Sequence, residues 1–292
     1  MKALLIHVGA DKSNWFTTQV NAPVFDDGSF EFIPIVEYIV GHNNSSGWYI
    51  RRKQEGTYVV EKHNESKKVD VWTTETRTYS FLPSINKRYG KTLANYIPFE
   101  YHHIVAHLDP DFENFTYADR TDDPRGNQIR KLEPSDYVFF VQSLAPFTQE
   151  AYSVKTVGHF GWFQKGLMAK YLIGYFRVHD TYLIMRDETG RSMFSISKNE
   201  DVTDELDSNL LIRIDQNVHS KRSEDEYFIV VGERDQSTLL ARAVKLTERG
   251  FPFRPNDIGL KIYGDLCYPR GVKWVYKETC IDMLLDFAEN RV

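Results

Sequence analysis

The chain has 292 residues, 41% of them hydrophobic and 14% aromatic, with 36 basic against 41 acidic side chains and a formal net charge of -5. That is enough apolar material for a packed core, which excludes a disordered chain. The acidic balance excludes a protein whose main work is coating nucleic acid, because that needs a basic surface. A local basic groove stays open at Arg51, Arg52, Lys53, Lys67 and Lys68, with Tyr49, Tyr58 and Trp72 nearby, although a solvated hairpin accounts for the same residues. The two cysteines, Cys267 and Cys280, form no C-x-x-C pair and no zinc-like spacing, which predicts reduced thiols in a cytosolic chain. No apolar run reaches membrane-spanning length, and the opening "MKALLIHVGADKS" is too short in its apolar run for a signal peptide.

In chain order, "ALLIHVGAD" reads as a buried strand closed by Gly9 and Asp11, without the G-x-G-x-x-G spacing of a dinucleotide site. "PVFDDGSFEFIPIVEYIV" predicts a hairpin about a D-G turn, with Pro34 placing or breaking its second strand at an edge. Residues 47–82 read as further β-structure, and "SINKRYGKTLANYI" as a short helix capped by Ser84. "DDPRGNQ" is a polar loop. "LEPSDYVFFVQSLAPF" is a polar turn delivering a strand, and "YLIGYFRVHDTYLIM" is a strand with an embedded Gly174, a polar break at His179–Asp180, and a second strand. A glycine inside a strand marks a bulge or a close backbone approach. "QSTLLARAVKLTERG" predicts a helix capped by Ser237, with an apolar stripe at Leu239, Leu240, Ala243, Val244 and Leu246 and a stop at Gly250. "YKETCIDMLLDFAEN" predicts a terminal amphipathic helix that carries Cys280. The expected fold is α+β: a central mixed sheet or barrel flanked by a few helices, in one domain spanning 1–292.

The stretch "AHLDPDFENFTYADR" places His107, Asp109, Asp111 and Glu113 at alternate positions. On an extended strand they would share a face, where one imidazole and several carboxylates suit Mg²⁺, Mn²⁺ or Fe²⁺, or acid–base work. "LDPD" is equally a turn, in which Asp109 and Asp111 accept backbone N–H bonds. Pro110 favours a division, with His107 and Asp109 ending a strand and Asp111 and Glu113 in the turn. Tyr117, Asp119 and Arg120 follow as candidate phosphate or sugar contacts, while Arg125 fits an exposed pair with Asp122 or Asp123. Asp11 is a candidate because ligands bind beyond strand C-termini in open sheets. "HFGWFQKG" at His159–Gly166 suits either a base-contacting loop through Trp162 or a loop tucked into the core. No Ser-His-Asp order, G-x-S-x-G elbow, P-loop or H-x-E…P-C-x-x-C signature is present, which excludes those hydrolases and deaminases.

Taken together, "HLDPDFENFTYAD", "LEPSDYVFFVQSL", "YLIGYFRV" and "VGERDQSTLLARAV" resemble the third of the nucleotide-modification-associated domain families. The opening Gly9 and Asp11, and the hairpin residues Pro23, Phe25, Asp27, Gly28, Ser29, Phe30 and Glu31, match the same pattern from about residue 3 to about 246. Ala118 and Ser135 stand where the pattern has glycine. The resemblance implies a place in nucleic-acid base or nucleotide modification. More loosely, the "DYVFF" and "YLIGYFRV" strands are similar to PUA-like barrels, which bind RNA or flipped bases; such a segment would fall within about 100–232.

Two functions are therefore expected. An enzyme would use Asp11, His107, Asp109 and Asp111 as catalytic residues, with Tyr117, Asp119 and Arg120 in binding. A recognition module would use an aromatic slot near Phe139, Tyr175 and Trp162. A nucleotide or nucleic acid is the expected partner and a membrane is not; cofactor, metal and oligomeric state are not specified by the sequence.

Overall fold

The computed structural model describes residues 1–8, 22–36, 49–54, 57–62, 65–70, 106–147, 167–189, 192–195, 203–221, 226–250, 252–263 and 272–289. Asp11, Trp162, Cys267 and the expected helix at 84–96 lie outside them. In chain order the strands are β1 (Ala3–His7), β2 (Ala22–Val24), β3 (Ile35–Val36), β4 (Tyr49–Gln54), β5 (Thr57–Lys62), β6 (Glu65–Asp70), β7 (Ala106–His107) and β8 (Thr116–Arg120). After a single helical turn, α1 (Gly126–Ile129), come β9 (Tyr137–Pro146), β10 (Ala169–Arg186), β11 (Ser192–Ser195), α2 (Ser208–Gln216), β12 (Tyr227–Gly232) and β13 (Thr238–Lys245). The described chain closes with α3 (Asp257–Tyr263), β14 (Val272–Val275) and α4 (Glu278–Glu289).

Nine of these strands form one open mixed sheet in the order β14-β1-β9-β10-β12-β8, with β2 on β9 and with β11 and β13 on β10. This is the expected α+β fold. β1 pairs parallel with β9 and antiparallel with β14, so it is an interior strand. A strand covered on both faces reads as a continuous apolar run, which is why "ALLI" and "YVFFV" lack alternation. β4, β5 and β6 form a separate antiparallel meander that holds the Arg51–Lys53 and Lys67–Lys68 runs. By contacts the chain divides into two compact units: Met1–Val8, Leu108–Gln142 and Ala169–Val292 form the first, Gly9–His107 and Ser143–Met168 the second.

The D-G turn forms as expected, but the second strand of the expected hairpin does not: across the turn only an isolated Val24–Phe30 bridge forms, while β2 pairs with β9 and β3 with β7. Gly28 takes φ 84, the Phe25 N–H donates to the Ser29 carbonyl, and Asp27 accepts from the Ser29 N–H and hydroxyl. That bonding accounts for Asp27 within the turn itself. Phe32 and Ile33 are buried but lie outside any strand, and β3 begins only after Pro34.

Three local expectations are corrected. "DDPRGNQ" contains the helical turn α1 rather than a simple loop. β10 runs unbroken through His179 and Asp180, where a bulge between Val178 and Asp180 takes the place of the expected break. The expected helix from Ser237 is strand β13. Its register against β10 passes from Leu172↔Val244 to Gly174↔Leu239, so β13 spends five positions where β10 spends two. Those extra residues break strict alternation and leave Leu240, Ala243 and Val244 buried at a spacing that imitates a helix. The long-range partner then overrides the Leu/Ala propensity. Gly174 shows both expected features. It sits at that bulge, and a Cβ there would lie 2.6 Å from the Phe112 ring and 2.6 Å from the Thr238 carbonyl oxygen.

Ser135, where the family pattern has glycine, adopts φ 71 in the turn entering β9. A side chain in this left-handed region costs about 1–2 kcal/mol, partly offset here by its hydroxyl's bond from Arg177. Ser135→Gly is therefore expected to raise stability by about 0.5–1 kcal/mol. A thermal melt of the variant tests this, and an unchanged or lower midpoint would refute it.

Candidate active site

The site begins at the turn between β7 and β8. The Asp109–Pro110 peptide is cis, and Asp111 opens a tight reversal in which its backbone exchanges two bonds with Thr116. The Asp111 carboxylate accepts from the N–H groups of Glu113 and Asn114 and from the Asn114 amide. Burial raises the Asp111 pKa, and those three bonds work against that rise. Asp111 thus holds the turn, as the turn reading expected. Replacing it with Asn is expected to cost about 1 kcal/mol, the scale of a lost capping bond, as measured by urea unfolding. A cost above about 3 kcal/mol would show a wider role.

The turn is seated by rings. Phe112 meets Phe140 and Phe176 edge-on at 5.4 Å each, and Phe115 meets Phe176 at 5.7 Å. From the other side, Arg213 of α2 donates to the carbonyls of Asn114 and Gly232 at 2.8 and 2.6 Å. Leu210 and Ile214 of α2 pack on Ala118, Ile229 and Val231.

α2 ends at Asn217, and this end delivers the partners of Asp109. The Asn217 amide donates to Asp109 Oδ1 at 3.2 Å and to Thr116 Oγ1 at 3.0 Å, while its own oxygen accepts the His219 N–H at 2.9 Å. Asp109 Oδ1 also accepts the Ala118 N–H at 3.0 Å. His219 Nε2 lies 3.2 Å from Asp109 Oδ2, and the imidazole leans on Tyr227 with centroids 4.7 Å apart. Asp109 and His219 are each 7% exposed and Asn217 is fully buried, so all three are already stripped of water. His107, 6% exposed, is joined to Asp109 through Leu108 alone, so the local chain carries it with the turn. The ligand atoms of His107, Asp109 and His219 all lie within 4.8 Å of one another.

Beyond Ala118 on β8, the buried Tyr117 hydroxyl donates to Asp119 Oδ2 at 3.4 Å, and Arg125 Nε pairs with the same oxygen at 3.0 Å. Arg125 does not pair with Asp122, the first of its two expected partners. Its closer partner is the buried Asp119, with Asp123 at 3.6 Å. Arg120 instead binds the exposed Asp122 through two nitrogens at 2.9 and 2.8 Å, a surface pair of little energetic weight. Burial pushes the Tyr117 phenol well up. Burial also raises Asp119 to about 6, in spite of Arg125, with Asp123 and Asp109 adding to the rise. A carboxyl raised on folding favours the folded state most below its unfolded pKa, and that contribution is lost as pH rises through the folded value. The Asp119→Asn variant should therefore gain on the wild type by roughly 1–3 kcal/mol between pH 4 and pH 7. Parallel urea curves for the two proteins across that window would contradict the assignment.

Tyr175 packs inside against Tyr137 and Phe139, with centroids at 6.1 and 5.8 Å, and all three are buried.

The match to a family model decides the kinship: nucleotide modification associated domain 3 aligns with residues 2–257. The chain belongs to the nucleotide modification associated domain 3 family. No curated protein and no solved structure matches it. The matched span contains every residue of the Asp109 centre, while β14, α4 and most of α3 lie beyond it. No helix among the described residues is long and apolar enough to cross a membrane.

Asn217 and His219 carry no local signal in the sequence of this family member. "DQNVHSK" follows an amphipathic helix as ordinary polar residues do, and the chain has nine histidines. Only the path of α2 back to β8 singles this one out.

Proposed function

We propose that this protein is an enzyme of nucleotide or nucleobase modification, with its reaction centre at Asp109, His219 and His107. The family supplies the process, and the centre supplies the chemistry. The observation that carries the reading is the investment in Asp109. A residue 108 positions further along the chain, Asn217, is buried to orient both the carboxylate and the backbone of His219. A buried polar network of this kind is seldom worth more to stability than apolar side chains of the same volume. Its presence is therefore best explained by what it holds. Tyr117 and Asp119 of β8, with Arg125 beside them, feel the charge of Asp109 and continue its buried polar cluster along the strand. Arg125 keeps part of its guanidinium exposed beside Asp119, where it can meet a phosphate or a base edge.

The test is a nucleoside profile of DNA, RNA and the free nucleotide pool by mass spectrometry. It compares cells with the gene, without it, and complemented by Asp109→Asn or Asp111→Asn alleles. The expected result is a nucleoside that disappears on deletion, returns with Asp111→Asn, and does not return with Asp109→Asn. Profiles unchanged by deletion would sink the enzyme reading.

A further inference from the structure

We propose that His107, Asp109 and His219 bind one divalent first-row transition-metal ion. The inference rests on the reaction centre described above and names what that centre holds.

Two imidazoles and one carboxylate form a donor set that suits Fe²⁺, Mn²⁺, Co²⁺ or Zn²⁺ and leaves coordination positions open for water or a substrate atom. Calcium and magnesium prefer oxygen-rich shells, which this set does not offer. The spacing is compatible. Two donors each about 2.1 Å from one ion lie at most about 4.2 Å apart. Three donors cannot all lie opposite one another, and at right or tetrahedral angles they sit about 3.0–3.4 Å apart. The three here fall within 4.8 Å of one another, so rotamer adjustments that shorten the longest separation by at most about 1.8 Å close the set.

The bonding around the carboxylate favours the same conclusion. Asp109 Oδ1 is committed to the Ala118 N–H and the Asn217 amide, which fixes the carboxylate plane. Oδ2 is the oxygen turned toward His219 Nε2. An ion placed there would take the Nε2 lone pair and Oδ2 together. Asn217 then acts as an outer-shell residue, holding one ligand by its side chain and the other by its backbone N–H. All three ligands are buried, so little further desolvation accompanies binding.

The experiment is a titration of chelator-stripped protein with Co²⁺, followed by visible absorption. One equivalent should produce saturable ligand-field bands. His107→Ala and His219→Ala should each weaken binding by at least about 100-fold, and Asn217→Ala by about 10–100-fold. Asp111→Asn should bind as the wild type does. Circular dichroism confirms that each variant is folded. If a ligand variant does not fold, histidine-labelled wild-type protein gives the second reading. Co²⁺ should then shift and broaden the ring resonances of His107 and His219 far more than those of the exposed His179.

Absence of a one-equivalent transition, unchanged bands in a folded His219→Ala protein, or paramagnetic shifts confined to other histidines would each overturn the metal site. The two proposals fail separately. Stoichiometric Co²⁺ with an unaltered nucleoside profile keeps the metal and rejects the modification chemistry. An altered profile in a protein that binds no Co²⁺ does the reverse.

Discussion

Asp109→Ala is expected to lower the unfolding free energy by about 3–5 kcal/mol, the range for removing one partner of a buried charged network. The substitution leaves three groups behind. The Ala118 N–H and the Asn217 amide lose their acceptor, and His219 Nε2 loses the oxygen 3.2 Å away. Each buried donor left without a partner costs about 1–3 kcal/mol. Asn217 retains its bond to Thr116 Oγ1, which limits its share. Urea unfolding should show a lower midpoint at unchanged slope, since the native surface is otherwise kept. Asp109→Asn should cost less, because its remaining oxygen can still accept the Ala118 N–H. A loss below about 1 kcal/mol in the alanine variant would mean that the network does not hold the β7–β8 turn.

Phe176→Ala is expected to cost about 3–5 kcal/mol, the range for truncating a fully buried phenylalanine. Phe176 meets Phe140 at 4.6 Å and receives Phe112 and Phe115 on its other contacts. It therefore joins the middle of the sheet to the turn that precedes β8. Its loss should act at a distance: amide exchange along Thr116–Arg120 should quicken more than exchange along β1, which Phe176 does not touch through these rings. Phe176→Leu, which refills part of the volume, should recover at least half of the loss. Equal quickening in β8 and β1 would show global destabilisation only and would remove the specific link to the site.

The elements legible in the sequence share one property: their signals are local. The apolar runs of β1 and β9, the D-G turn and the amphipathic stripe of α4 with Ile281, Leu284 and Ala288 buried all appear where local pattern puts them. β13 was misread because the bulge opposite Gly174 gave a strand the spacing of a helix, and nothing in "STLLARAVKL" reveals the partner strand. The bulge at His179 was misread as a break for the same reason, since polar residues in a strand can face solvent without ending it.

The candidate site divides along the same line. "HLDPDFENFTYADR" by itself determined that a carboxylate-rich turn follows a short strand, and Pro110 placed Asp111 in that turn, but the strand was expected to reach Asp109 and β7 ends at His107. Turn geometry depends on residues within four positions of one another, so the bonds of Asp111 to Glu113 and Asn114 are written locally. The choice of Asp109 as the centre was not. It depends on Asn217 and His219, which reach Asp109 only because α2 packs its Leu210 and Ile214 on β8 and β12. Hydrophobic burial is non-directional and takes no account of sequence distance. It is that packing, together with the hydrogen bonds it brings into register, that turned two inconspicuous polar residues into partners of a buried carboxylate.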